Sequence, residues 1–140
     1  MAIQEFITHS AEETIALGRL LGGMLAPPSL VLLRGDLGAG KTTLVKGIAE
    51  AFHAASVEEV TSPTFTLIHE YGSGRAYHID LYRLDTIQQV ATLGLEEILD
   101  REAVVLVEWG ERFPDLFPAG RIEVRLLPVT ESKREITINQ

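Results

Sequence analysis

Residues Gly35 to Thr42 read G-D-L-G-A-G-K-T, a complete match to the phosphate-loop pattern G-x-x-x-x-G-K-[ST]. The match lies between the apolar run Ser29-Leu30-Val31-Leu32-Leu33 and a helix-like stretch from Thr43 to Phe52. Strand, glycine-rich turn and helix in that order leave few folds open, because the turn must aim a ring of backbone N–H groups at closely spaced phosphates. Gly35, Gly38 and Gly40 supply the turn, and Asp36, Leu37 and Ala39 complete the ring. Lys41 reaches forward to the β- and γ-phosphates and Thr42 offers a hydroxyl to Mg²⁺. The positive end of the following helix lies under the phosphates. A chance match in a chain this size is roughly one in a few hundred, and the flanking strand and helix make it rarer.

The expected fold is α/β, a P-loop NTPase fold with a mostly parallel central sheet, one antiparallel hairpin and helices on both faces. The 140 residues form one domain, 1–140, with no room for a second catalytic one. Gln4 to Ile7 reads as a strand. Ser10 with Glu13 has capping-box spacing, and Ile15, Leu17, Leu20, Leu21, Met24 and Leu25 line a helix that Pro27-Pro28 ends. Thr66 to Tyr71 and Arg75 to Asp80 form a hairpin across Gly72-Ser73-Gly74. Thr86 to Leu93 and Leu95 to Asp100 read as short helices, Val104 to Val107 as a buried strand, and Ile122 to Leu127 with Glu135 to Ile138 as a final strand pair. Phe113, Pro114, Phe117 and Pro118 form either an exposed docking patch or a hydrophobic plug.

Composition narrows the chemistry. Without cysteine there are no disulfides, thiolate metal sites or thiol nucleophiles. Mg²⁺ carried in with a nucleotide is the expected metal. The net charge of −8 either serves solubility alone or argues against tight independent binding to nucleic acid, in which case any contact with RNA is expected to run through a partner. No apolar run approaches a membrane span, and Met1 to Glu5 lacks the features of a secretion signal, so a cytoplasmic protein is expected.

Hydrolysis needs a carboxylate at a neighbouring strand end. Glu108 follows four apolar residues, the pattern of a Walker B strand, and Asp80 ends the strand Ala76 to Ile79. Thr64, in Ser62-Pro63-Thr64, is either a switch residue reaching Mg²⁺ or the γ-phosphate, or a local turn residue. Trp109 packs in the core, or it lies under the site or presents a surface to a partner. His78 has no partner at metal-ligand spacing and reads as structural, while Arg83 is expected to pair with Asp80, the alternative being a phosphate contact.

In order along the chain, G-D-L-G-A-G-K-T-T, S-P-T-F-T-L, Y-H-I-D-L-Y-R-L and L-V-E-W-G closely resemble the TsaE family, formerly YjeE, from about Ser10 to Trp109. The resemblance implies a small bacterial P-loop ATPase. Such proteins assist threonylcarbamoylation of the adenosine next to the anticodon, made by the TsaB–TsaD complex from a threonylcarbamoyl-adenylate supplied by TsaC. It implies Lys41, Asp80 and Glu108 as catalytic residues, Thr42 and Glu108 as Mg²⁺ residues, Thr64 as a switch, and Thr43 as a second phosphate contact. Adenine contacts are implied near Ser10 and Ala11 and near Lys133 and Arg134. Two other classes fit a phosphate loop: a small-molecule kinase, which needs an acceptor pocket and an Arg-rich lid, and an ATP-gated binding module.

Overall fold

The apolar runs read as strands at residues 29–33 and 104–107 lie side by side at the centre of a seven-stranded sheet. The computed structural model describes residues 3–140; Met1 and Ala2, the start of the stretch read for a secretion signal, lie outside the described residues. In chain order the elements are β1 (Ile3–Thr8), α1 (Ala11–Met24), β2 (Ser29–Arg34), α2 (Lys41–Ala51), β3 (Ile68–Tyr71), β4 (Ala76–Asp80), α3 (Ile87–Ala91), α4 (Leu95–Leu99), β5 (Val104–Glu108), β6 (Ile122–Pro128) and β7 (Arg134–Asn139). Short 3-10 turns cover Val57–Glu59, Gly110–Arg112 and Pro114–Leu116.

The sheet order is β1-β7-β6-β2-β5-β4-β3. Its centre, β6-β2-β5-β4, is parallel. The expected hairpin β3–β4 closes one edge, and the pairs β6–β7 and β7–β1 make the other edge antiparallel as well. The central strands are apolar because both faces are covered. Alternate residues of β2 divide accordingly, Val31 and Leu33 facing a core built with α1 and α2, Leu30 and Leu32 facing one built with α3 and α4. Phe113 and Phe117 are buried in the second core, so they act as a plug.

Local chemistry sets the element ends. The Ser10 hydroxyl accepts the Glu13 N–H and caps α1, while the Glu13 carboxylate accepts the N–H of His9 rather than that of Ser10. The sequence predicts a strand from Thr66, but β3 starts at Ile68. The Leu67 N–H turns back to the Pro63 carbonyl, and Leu67 takes the left-handed conformation at φ 71°.

Helix α2 is held by very close backbone contact with α1. A Cβ on Gly47 would lie 2.0 Å from the Ile15 carbonyl oxygen, and one on Gly18 would lie 2.3 Å from that of Leu44. Both obstacles are backbone, so relief requires the helices to separate. Gly47→Ala is expected to lower the unfolding free energy by about 1–3 kcal/mol. Gly23→Ala, on the same helix pair but with nothing within 4 Å of its Cβ, is expected to raise it by about 0.5–1 kcal/mol. Urea unfolding of the two variants checks the opposite signs.

Candidate functional site

Parallel strands deliver their C-terminal residues to one edge of a sheet. Here β2 runs out into the phosphate loop there, while the register pairs Asp80 at the end of β4 with Glu108 at the end of β5. The loop makes two left-handed turns, Gly38 at φ 81° and Gly40 at φ 104°, and α2 begins at Lys41. Gly40 is the N-cap, and its conformation strongly favours glycine. The Ala39 N–H closes an inner turn on the Asp36 carbonyl at 3.0 Å.

Lys41 is buried at 5% exposure. Its Nζ donates to the Gly35 carbonyl at 2.6 Å, lies 4.0 Å from the centre of the Trp109 ring and is 3.9 Å from Glu108 Oε1. Burial pushes the Lys41 pKa down from its ordinary value, against the raising influence of Glu108 and then Glu111, Asp80 and Asp36.

Glu108 and Asp80 are both buried, and each carboxylate has its own partners. Glu108 Oε2 accepts from the Thr42 hydroxyl at 3.5 Å and contacts Nε2 of the fully buried His78. Among the described residues, His78 Nδ1 has no hydrogen-bond partner, so the ring's polar contact is the one its Nε2 makes with Glu108. Asp80 Oδ2 accepts from the Thr64 hydroxyl at 3.1 Å, and Oδ1 accepts the Tyr82 N–H at 2.8 Å. Thr64 is itself joined to the Ser62 hydroxyl at 2.7 Å.

These groups face a cavity of about 300 Å³ whose lining includes Leu37, Gly38, Gly40, Lys41, Thr42, Thr43, Thr64, Asp80, Glu108, Trp109 and Arg134. A neighbouring cavity of about 370 Å³ shares Gly40, Thr43 and Arg134 and adds Ser10, Ala11, Thr14, Glu131 and Ser132. Most of the candidate residues therefore converge, with Ala11 in the second space. Gly35, Asp36 and Ala39 shape the loop from outside these linings. Lys133 does neither: its N–H bonds to the Thr130 hydroxyl, and its carbonyl closes the turn between β6 and β7.

One expectation needs correction. Arg83 does not pair with Asp80, whose oxygens are taken by Thr64 and Tyr82; its guanidinium lies over the Phe65 ring, 5.1 Å from the centre. His78 is fully buried and contacts Glu108, a partner that spacing along the chain did not reveal. It stands opposite Leu106 in the β4–β5 register, one diagonal step from Glu108 on the same sheet face. The available signal was the alternation of β4, which puts His78 and Asp80 on one side. Trp109 meets two of its readings, lining the cavity while packing on the second core.

A strand, a glycine-turned loop and a helix on a sheet with a parallel centre define a protein of the P-loop NTPase fold. A crystal structure of Bacillus subtilis YdiB superposes with a TM-score of 0.78 at 34% identity, covering 98% of this chain and 84% of that one. Residues 8–136 match the family model described as "Threonylcarbamoyl adenosine biosynthesis protein TsaE". Proteins bearing the name "tRNA threonylcarbamoyladenosine biosynthesis protein TsaE" are similar over most of their length. That of Nostoc sp. is 46% identical across 91% of this chain and 80% of its own, and that of Treponema pallidum 38% identical across 94% and 97%. The chain belongs to the TsaE family.

The His78–Glu108 contact is expected to matter for stability. His78→Leu fills the space but leaves a buried carboxylate short of a donor, at a cost of about 1–3 kcal/mol. The double variant His78→Leu/Glu108→Leu is expected to recover part of that loss in urea unfolding, because the unpaired charge is gone.

Proposed function

We propose that this chain is a cytoplasmic MgATP-binding ATPase of tRNA threonylcarbamoyladenosine biosynthesis that works in complex with TsaB–TsaD. The observation that carries the proposal is the convergence of Lys41, Thr42, Thr64, Asp80 and Glu108 on one cavity at the N-terminus of α2. The family membership and the names of the relatives support the pathway.

Lys41 exchanges its bond to the Gly35 carbonyl for phosphate oxygens, and the α2 N-terminus adds partial positive charge without reorganising. Thr42 and Glu108 would hold Mg²⁺. Their hard oxygens, 3.5 Å apart, are a partial set of the kind that water and phosphate oxygens complete. Mg²⁺ supplies charge neutralisation at the phosphates when bound. Asp80, fixed by Thr64 and the Tyr82 N–H, accepts a hydrogen bond from the attacking water. Water oxygen bonds to the γ-phosphorus as the bond to the bridging oxygen breaks, giving ADP and inorganic phosphate. Thr64 gives Asp80 a contact that reports what occupies the cavity. Ala11 and the second cavity beside it would receive the base.

Turnover by the chain alone is slow in this account. Among the described residues, Arg134 is the only arginine lining either cavity, and its contacts are to backbone carbonyls. An arginine finger is worth about 10³ to 10⁵ in rate, so TsaB–TsaD completes the site. Contact with tRNA comes through those partners, as the charge of −8 favours. Among the described residues no helix is long and apolar enough to cross a membrane.

MgATP binding is readable from Trp109, the sole tryptophan, against which Lys41 is packed. Lys41→Ala is expected to weaken binding at least about tenfold. Asp80→Ala and Glu108→Ala are expected to keep more binding than turnover, losing about 10²-fold in rate. Phosphate release measured with and without TsaB–TsaD tests the partner role. No stimulation and no ATP-dependent association would exclude it.

A further inference from the structure

Both left-handed glycines of the phosphate loop leave its peptide units free to rotate, yet the loop works only if its N–H groups face the ligand and its carbonyls face away. Something must hold the carbonyls. The candidate is Arg134, the first residue of β7, far away in sequence. Its Nε donates to the Ala39 carbonyl at 3.1 Å and its Nη2 to the Gly38 carbonyl at 3.3 Å. Its Nη1 faces the carbonyls of Thr130 at 2.8 Å and of Glu131 and Lys133 at 3.1 Å. All three nitrogens end on main chain.

We propose that Arg134 is a positioning residue that locks the peptide orientation of the phosphate loop and ties it to the turn between β6 and β7. The proposal deepens the nucleotide-binding reading above and rests on it. A trans peptide is planar, so its N–H points opposite to its carbonyl. Holding the Gly38 and Ala39 carbonyls therefore fixes the N–H groups of Ala39 and Gly40. The Ala39 N–H is taken by the Asp36 carbonyl within the loop, so the N–H that the brace aims at a phosphate is that of Gly40, which lines the cavity. Without the brace, a flipped peptide would turn a carbonyl toward the phosphates and repel them.

The same guanidinium reaches the turn that carries Glu131 and Ser132 into the neighbouring cavity. One side chain thus sets the phosphate loop and the far wall of the second space together. The geometry needs a planar fork with several fixed donors, which a lysine ammonium does not provide. This distinguishes a brace from a simple cationic contact to phosphate, and from a contact to the base.

The test is calorimetric binding of two ligands, MgATP and magnesium tripolyphosphate, to the full chain as wild type, Arg134→Ala and Arg134→Lys, with thermal unfolding of each recorded. Both variants are expected to lose about tenfold or more in affinity for both ligands. Loss for MgATP with unchanged tripolyphosphate binding would overturn the proposal in favour of a base contact. Wild-type affinity in Arg134→Lys would overturn it in favour of charge alone. If Arg134→Ala does not fold, Arg134→Lys decides by the same two ligands. If the wild type binds neither ligand, the nucleotide reading itself falls and the proposal with it; intact wild-type binding with unaffected variants sinks the proposal alone.

Discussion

An ammonium and a carboxylate buried 3.9 Å apart, Lys41 and Glu108, govern what the C-terminal edge of this sheet must contain. Charges removed from water need several compensating contacts each. Lys41 finds a carbonyl at Gly35 and the face of Trp109, and Glu108 finds Thr42 and His78. The direct pair is too long to be a good hydrogen bond. For Lys41 the balance falls on the side of desolvation, which is why its pKa moves down despite the surrounding carboxylates. A cation held dry and short of close negative partners is poised to accept an anion. The same arrangement gives little stability by itself, so other parts of the fold must hold it in place.

The holding parts are backbone contacts. The approach of α1 to α2 at Gly18 and Gly47 fixes the helix whose first residue is Lys41. The parallel register of β4 with β5 brings Asp80 and Glu108 level, and the sheet alternation puts His78 under Glu108. Lys46, one turn along α2 from Thr42, donates to the carbonyls of Val57 and Val60 and so anchors the chain that leads into Ser62 and Thr64. The site is thereby attached to the first core from the helix side and to the second from the side of Trp109.

What was legible in the sequence is what is encoded locally. The phosphate loop is contiguous, the central strands are uninterrupted apolar runs, and Asp80 and Glu108 announce themselves as acids at strand ends. Phe113 and Phe117 were ambiguous because a short aromatic-proline stretch has the same pattern whether it faces in or out; only the second core decides. The partner of His78 was not legible because it lies thirty residues away in sequence and diagonal across a strand pair. Arg83 was misassigned because nearness in sequence to Asp80 says nothing about a carboxylate already occupied by Thr64 and a backbone N–H. The brace formed by Arg134 spans the chain from β7 to the loop after β2, a distance no local pattern can report.

Local rules are broken most clearly where the site is built. Leu67 and Trp109, neither of them glycine, hold φ of 71° and 66°, a conformation that costs about 1–3 kcal/mol for each such residue. Both are over-determined by neighbours. Leu67 is held by its N–H to Pro63 and its carbonyl to the Asp80 N–H, and Trp109 by the Tyr82 ring at 5.0 Å and by the Lys41 ammonium. Each left-handed residue also redirects the chain at a functional point. The bend at Leu67 turns the chain into β3 just after Thr64 has reached Asp80. The bend at Trp109 ends β5 as soon as Glu108 has been delivered and turns the indole back over Lys41. Extended residues at those two positions would continue the strands past the cavity. Two of the four left-handed non-glycine residues, the others being His53 and Ser73, thus stand at the turns that convert a sheet edge into a walled site, and the contacts that offset their strain are made in part by Asp80 and Lys41, which line that cavity.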